Sequence, residues 1–501
     1  MSLLYAIVLG AMVLSLLTVS LTRLRKVKTK ADYLVAGRTL PAFVLIFTLL
    51  SSWIGSGSLL AGAENAYRHG FAALWQAAGG WLGLLLIYFI APRARKFAQY
   101  TIPDLLEARY NQTARVLGVI AVLFAYTGIT SYQLIGGGDI LHLVFPAAVT
   151  PMLGRFIMAA FVIVFTAIAG MSSVAYMDVV IGLLATVTML IALPVLIHSA
   201  GGWVHIRHSL PATHFQVLGD FTFEEAMELL LPTLLLMLGN QAMYQKFFSA
   251  KSEKDARVAV VGWVIGTIIL ETVIVAIAVV GSVLFPTGAV SKYPREIIAY
   301  SALHGLPGLL GALLMAAVFA KIMSTANNFL FSPATNLIND VFVRYIAPQA
   351  SNKRILLVSR LTVVLLGIWS LYQAVGITSV LQQTLYAYTV YSAALTPVIL
   401  AAFYSKRATS AGAVTAIGAG TFVTVLWNQA LPDGQVSGWL LRTGFSPDLA
   451  LRLAKHDAIF PALVAALLGL VVVSAFTKAP SAEKLAPFHG GTAEAAGVEA
   501  D

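Results

Sequence analysis

Ser324 and Thr325 stand side by side in an apolar stretch, residues 309–330, with Lys321 one helical turn before them. Two adjacent hydroxyls, with a backbone carbonyl one turn earlier, offer hard neutral oxygens. That is the shell a small monovalent cation such as sodium takes in a membrane, where helix breaks supply the remaining carbonyls. A break of that kind is written into Ser51-Ser52-Trp53-Ile54-Gly55-Ser56-Gly57-Ser58, inside the apolar residues 42–63. Serine and glycine at mid-membrane depth release carbonyls from the helical ladder, and in hydrocarbon such groups persist only where they line a cavity or hold an ion. A comparable interruption, Leu238-Gly239-Asn240-Gln241, lies within residues 229–244. The chemistry implied is the binding and passage of a solute. The competing explanations are structural: Ser and Thr in membrane helices bond their own i−4 carbonyl, and glycine-rich spans arise from close helix packing.

These oxygens must be held by membrane helices. The chain of 501 residues is 59% hydrophobic and 11% charged, with a mean hydropathy of +0.84. A soluble domain of this size needs a more polar surface. Apolar runs of about 20 residues, enough to cross about 30 Å of hydrocarbon, recur about thirteen times. They fall at residues 3–21, 42–63, 71–91, 116–144, 156–169, 174–197, 226–244, 258–285, 309–330, 355–375, 380–403, 411–431 and 459–476. The net charge of +10 does not indicate nucleic-acid binding, because the basic residues gather in alternate loops as the positive-inside rule requires. Arg23, Arg25, Lys26, Lys28, Lys30 and Arg38 follow the first span, and Arg93, Arg95, Lys96, Arg109 and Arg115 the third. Lys246, Lys251, Lys254 and Arg257 follow the seventh, Arg344, Lys353 and Arg354 the ninth, and Lys406 and Arg407 the eleventh. These loops are expected on the cytoplasmic side of a cell (inner) membrane, with the N-terminus outside and the C-terminus cytoplasmic. The first span lacks a basic n-region and a small-residue cleavage site, and is expected to be a retained helix.

The chain has no cysteine, so thiolate ligands and a cysteine nucleophile are excluded. His205, His208 and His214 cluster in the segment 200–223 without tetrahedral ligand spacing. Nucleotide-binding loops and nucleophile–base arrangements are missing, so the chain is expected not to be an enzyme and to draw energy from a gradient. The two interrupted spans are five spans apart, and an odd offset reverses direction through the bilayer. The expected fold is therefore an all-α membrane protein of about 13 spans built from two inverted five-helix repeats, each opening on a broken helix. Residues 1–41 form an extra N-terminal helix and basic loop, 42–198 the first repeat, 199–223 an external loop and 224–404 the second repeat. Residues 405–476 hold two further helices, and the Ala-, Gly-, Pro- and Glu-rich 477–501 a disordered cytoplasmic tail.

Several ordered motifs resemble the sodium/solute symporter family over most of the chain. They are Asp32 to Arg38 before the second span, Tyr67 to Gly70 after it, Tyr100 to Tyr110 after the third, and Ala175-Tyr176-Met177-Asp178 opening the sixth. Asn240-Gln241 with Tyr244-Gln245-Lys246 and Ser249-Ala250-Lys251, then Met323-Ser324-Thr325 with Asp340, continue the series. The resemblance implies alternating access in paired inverted repeats, with a small polar organic solute as partner and co-transported sodium. It would put sodium on the carbonyls of Ser52 and Gly55 with Ser56 nearby, on the hydroxyls of Ser324 and Thr325, and on the carbonyl of Lys321. Asp178 matches an acidic residue of the inner sodium pathway; as an alternative it is a helix N-cap favoured by the dipole.

Lys321 departs from the family, whose members carry a small residue there. An ionisable residue inside a span is costly and by default functional. Its ammonium replaces the ion, giving proton-coupled or uncoupled transport, or pairs with Glu271 or Asp139, or snorkels toward a watery vestibule. The solute is expected beside the breaks, near Leu59, Leu60, Trp75, Gln76, Gln133, Asn240, Gln241, Tyr244, Gln382, Gln383 and Tyr386. Amides there both donate and accept. The apolar Leu59 argues against a sugar and for an amino acid, carboxylate or vitamin-like molecule. The alternative for these glutamines and tyrosines is interhelical glue. A transporter-like sensor and an uncoupled channel are the other function classes, and no obligate protein partner is evident.

Overall fold

The computed structural model describes residues 2–24, 27–97, 100–288, 290, 293–377, 379–427, 435–444 and 446–489. In hydrocarbon each backbone N–H and C=O must be satisfied within its own segment, and the described residues are accordingly almost all helical or in short turns. The principal helices are α1 (Ser2–Leu24), α2 (Ala42–Trp53), α3 (Leu74–Ile87), α4 (Gln112–Val144), α5 (Pro151–Ser199), α6 (Phe223–Gly239) and α7 (Gln241–Ser249). They continue as α8 (Glu253–Leu284), α9 (Gly308–Asn336), α10 (Asn352–Gly376), α11 (Val380–Tyr404), α12 (Ser410–Val425) and α13 (Ile459–Phe476). Eleven helices among the described residues are long and apolar enough to cross a membrane, while α2 and α12 are shorter apolar helices. The expected thirteen is reached only by counting these two shorter helices with the eleven. The chain breaks after α2 and then runs helical, with a sharp turn at Gly70, from Gly57 to Ile87. The last residues of the expected span 411–431 lie outside the described residues, as do Arg25, Lys26 and the end of the expected tail.

Local sequence sets the helix ends. Asn111, Ser252 and Ser351 cap α4, α8 and α10 by accepting a backbone N–H three residues on, and Thr222 with Glu225 forms a capping box at α6. The expected spans 156–169 and 174–197 are the two limbs of α5, which is interrupted at Gly170, where φ is +59°. Only glycine takes that conformation without strain, and a Cβ there would strike the Tyr33 backbone. The expected external loop contains the helix Gly202–Ser209. The expected disorder of the tail does not extend to Ala482–His489, which is helical, with Lys484 donating to the Tyr110 carbonyl.

Helix α9 is the axis of the molecule: from Gly311 to Asn336 its residues are buried almost without interruption. It packs against α2, α4, α5 and α10. The segment ahead of α2 and the end of α7 are stitched together by an isolated bridge, with Leu40 N–H donating to Ser249 O at 3.1 Å and Lys251 N–H to Leu40 O at 2.9 Å. The two interrupted regions of the chain are thereby anchored to each other.

Candidate functional site

Helix α2 ends at Trp53, and Ile54 turns extended with φ −83° and ψ 99°. Into this break comes the hydroxyl of Thr325 from α9. Its Oγ1 lies 2.9 Å from Ser51 O, 3.2 Å from Ile54 O and 3.0 Å from Lys321 O, so one hydroxyl sits where three carbonyls converge. Ser324 Oγ is 3.5 Å from Ser51 O and donates to the Asp178 carboxylate. Gly55 makes the approach possible, because a Cβ on it would be 2.6 Å from Thr325 Oγ1.

The carbonyls at this meeting point belong to Ser51 and Ile54, each one residue before the expected Ser52 and Gly55. The reason is helical register. Gly55 O instead accepts from Ser58 N at 3.1 Å and Leu59 N at 2.8 Å, opening the next helical segment. The Ser52 hydroxyl donates to Thr48 O at 2.6 Å and receives the Lys246 ammonium. Ser56 donates its N–H to Gln133 Oε1 at 2.7 Å, and its buried Oγ has no hydrogen-bond partner. Three neutral carbonyls and two hydroxyls are a donor set that fits sodium.

Around Asp178 a second polar cluster adjoins this point. Asp178 sits well inside the second limb of α5, beyond its bend, so it is not the N-cap considered above. Its carboxylate accepts from Thr48 Oγ1 at 2.5 Å, from Ser324 and from Asn328 Nδ2 at 3.4 Å. Asn328 Oδ1 in turn takes Lys246 Nζ at 2.7 Å. Lys321 Nζ donates to Ser51 Oγ at 3.3 Å, and Ser51 Oγ to Asp178 O at 3.2 Å. Lys246 therefore reaches the Asp178 carboxylate through the Asn328 amide, while Lys321 reaches the Asp178 backbone carbonyl through the Ser51 hydroxyl. Lys246 is fully buried and not a loop residue as expected, because α7 folds back into the core. Nor does Lys321 pair with Glu271 or Asp139. Asp139 binds Arg295 at 3.1 Å, and Glu271 is held by other donors.

A small pocket lies beside the break, lined by Trp53, Ser58, Gln76, Thr233, Glu271 and Tyr388 among others. The Trp53 and Tyr388 rings stack with centroids 6.3 Å apart and planes at 24°. Of the expected solute residues, only Gln76 lines it. The others are used elsewhere. Gln133 holds the α2 break, and Trp75 Nε1 donates to Val217 O at 2.8 Å. Asn240 ends α6 and caps α7, its Oδ1 accepting from Met243 N at 3.3 Å and Tyr126 Oη at 3.0 Å. Gln241 binds Ile102 N at 3.3 Å and Ser332 O at 3.1 Å, and also Asn336; Tyr244 Oη donates to Leu238 O at 3.0 Å. Leu59 is buried, Gln383 and Tyr386 are partly exposed, and Gln382 is exposed on α11.

Glu271, Tyr388, Trp53 and Lys246 are the site residues that sequence alone did not assign to their places. The acid in an apolar span was a visible signal for Glu271, but which donors met it was not. At the other end of α4 the motif residues assemble as an ion cluster. Arg115 pairs with Asp340 at 2.7 Å and with Asp104 and Glu107, while Arg344 reaches Glu107 at 2.9 Å.

Residues 33–420 match the model of the sodium:solute symporter family. The osmoregulated proline transporter OpuE of Bacillus subtilis (strain 168) is 26% identical, with 96% of each chain covered. A sodium/proline symporter of Staphylococcus aureus is 23% identical over 90% of this chain and 88% of its own. Among solved structures, a Na+-coupled sialic acid symporter in a substrate-bound outward-open state superposes with a TM-score of 0.77 at 16% identity, covering 95% of this chain and 98% of that one. Mhp1, a nucleobase-cation-symport-1 family transporter, gives 0.57 at 14% identity, covering 92% and 99%. These two structural likenesses concern the fold.

Proposed function

Because the chain belongs to the sodium:solute symporter family and so is a sodium-coupled secondary transporter, we propose that it imports a small polar organic solute, of amino-acid type as its proline-transporting relatives suggest, across the cell membrane. The carrying observation is the convergence of Ser51 O, Ile54 O and Lys321 O on Thr325 Oγ1. Sodium would be held there by those carbonyls and the hydroxyls of Ser324 and Thr325. Such an ion ties α2 to α9, so its arrival and departure bias one packing of these helices over another, which is what coupling requires. Asp178 stands next to the hydroxyl pair and would serve the inner sodium pathway.

The solute would sit in the pocket at the break, where the ion would order Trp53 and Ser58 on the two sides of the interruption. Residues 42–198 and 224–404 would form the two inverted repeats, with 1–41 and 405–476 as additions, 199–223 outside, and the N-terminus outside with the C-terminus in the cytoplasm. The charge of Lys321 would tune the ion site: its carbonyl contributes to the shell, while its ammonium is turned to Ser51 Oγ and kept company by Asp178.

The test is uptake of labelled proline and related amino acids into proteoliposomes under an imposed sodium gradient, with Thr325→Ala and Lys321→Ala alongside the parent. The expected result is sodium-dependent accumulation that Thr325→Ala weakens by about tenfold or more in apparent sodium affinity. Accumulation in the parent that ignores sodium would remove the coupling and leave the Lys321 ammonium in the ion's place.

A further inference from the structure

Glu271 is a carboxylate in the middle of a membrane helix, 5% exposed, and it forms no ion pair among the described residues. Its Oε1 accepts from Trp53 Nε1 at 3.0 Å and Ser58 Oγ at 3.1 Å, and its Oε2 from Trp81 Nε1 at 3.0 Å. Two indole N–H groups and a hydroxyl converge on its two oxygens, an arrangement able to solvate an ionised carboxylate. Neutral donors orient and solvate such a charge without cancelling it. An uncompensated charge at this depth is expensive, so it is relieved either by a proton or by a cation from outside the protein.

The pocket in front of Glu271 describes that cation. Among the described residues Glu271 is the only charged one lining it, and Lys246 and Lys321 are engaged with Ser52, Ser51 and Asn328 elsewhere. The inward-pointing indole N–H groups are the wrong polarity for the oxygen shell of a bare metal ion. Trp53 and Tyr388 both line the pocket, and an aromatic face attracts an organic cation by its negative π-cloud. Ala73, Ala77, Ile274 and Val275 complete the wall with carbon, suited to an aliphatic body. Gln76, itself 7% exposed, has a buried Oε1 without a hydrogen-bond partner, an acceptor left for a second N–H or O–H of the ligand.

We propose that this pocket selects solutes that carry a positively charged ammonium group, with Glu271 as its counter-charge and the Trp53 and Tyr388 rings as its aromatic wall. The inference rests on the symporter function above and names the substrate class of that same site. Two sources share this chemistry, the ammonium of a zwitterionic amino acid and that of a simple organic cation, and the probes separate them.

Equilibrium binding to the purified full chain is measured with three ammonium probes, L-proline, pyrrolidine and choline, and with tetrahydrofuran-2-carboxylate, which replaces the proline amine by an ether oxygen. At least one ammonium probe binds, and the ether analogue binds about 30-fold or more weakly than proline if proline is the probe bound. Glu271→Gln abolishes that preference and weakens the bound ammonium probe about 30-fold or more. Binding of pyrrolidine or choline without proline identifies a simple cation as the cargo; binding of proline alone identifies a zwitterion. Tyr388→Leu weakens binding about three- to thirtyfold while Tyr388→Phe retains it, because the π-face survives in phenylalanine. The ligand-free melting temperature of each variant checks that it is folded. Equal affinity for proline and its ether analogue, no binding of any ammonium probe, or a folded Glu271→Gln that binds as the parent does overturns the inference. Uptake driven by sodium is measured in parallel. Sodium-independent uptake with a Glu271-dependent ammonium preference removes only the coupling, whereas sodium-dependent uptake with unchanged Glu271→Gln affinity removes only the ammonium site.

Discussion

Asp178 and Glu271 are both carboxylates buried in membrane helices beside the same helix break, yet they are treated in opposite ways. Asp178 shares its cluster with two ammoniums: Lys246 reaches its carboxylate through Asn328, and Lys321 its backbone carbonyl through Ser51. Glu271 has two indoles and a hydroxyl and no cation. A carboxylate compensated by the protein's own charges is suited to holding helices together. One that is solvated but not compensated is suited to a partner that comes and goes. The contrast separates a built-in electrostatic joint from a receptor for cargo.

The largest effect is expected at the joint. Asp178→Asn strands two buried ammoniums, so the ligand-free protein should lose on the order of 3 kcal/mol of stability, read as a marked fall in apparent melting temperature, and lose sodium-dependent uptake. Adding Lys246→Met to Asp178→Asn should restore part of the melting temperature, since it removes one stranded charge. Glu271→Gln should behave differently in the same assay. With no protein cation left unpaired and the indoles still able to donate to the amide oxygen, ligand-free stability should move by about 1 kcal/mol or less, or rise. Similar destabilisation by both substitutions would erase the distinction.

A smaller effect probes the ion point between the two carboxylates. Gly55→Ala inserts a methyl 2.6 Å from Thr325 Oγ1, and overpacking of about 1–3 kcal/mol should displace that hydroxyl from the carbonyls. The sodium concentration for half-maximal uptake should rise about fivefold or more, with ammonium-probe affinity in the absence of sodium little altered. An unchanged sodium response would dissociate Thr325 from the ion.

The smallest effect carries the comparison outside the spans, to Glu296 in the short segment Pro294–Glu296. Burial, followed by the nearby charge of Asp139, raises its carboxyl from the ordinary 4.5 to about 7. A raised carboxyl contributes stability that is present below the unfolded value and is lost as pH rises through about 7. Glu296→Gln should therefore raise the melting temperature relative to the parent at alkaline pH, with the difference shrinking under acid conditions. A pH-independent difference would mean that the neighbouring Asp139–Arg295 pair already offsets its charge.

The breaks were legible because serine and glycine interrupt otherwise apolar runs, and the hydroxyl pair because Ser324 and Thr325 are adjacent. The register was not: a one-residue choice between Ser51/Ile54 and Ser52/Gly55 depends on how α2 is rotated against α9. The solute residues were chosen for polarity near a break, yet Gln241 and Asn240 are consumed by helix ends and neighbours. Polarity alone does not distinguish a ligand's partner from a backbone group's partner. Glu271 stands out as an acid in an apolar span, but the lysine that could pair with it, Lys321, is directed by the fold to Ser51. Lys246 looked like a loop cation because its sequence neighbours are polar, while the fold turns α7 inward.

From the sequence alone came the membrane environment, the helical class, the family and the two interrupted segments, because hydrocarbon dictates length, apolarity and internal backbone bonding residue by residue. Only the tertiary structure decided which carbonyls meet Thr325, which ammoniums attend Asp178, and that Glu271 is left facing a pocket. Those outcomes depend on the rotation and approach of helices distant in sequence, and a side chain's partners across such an interface are fixed by packing rather than by its own chemistry.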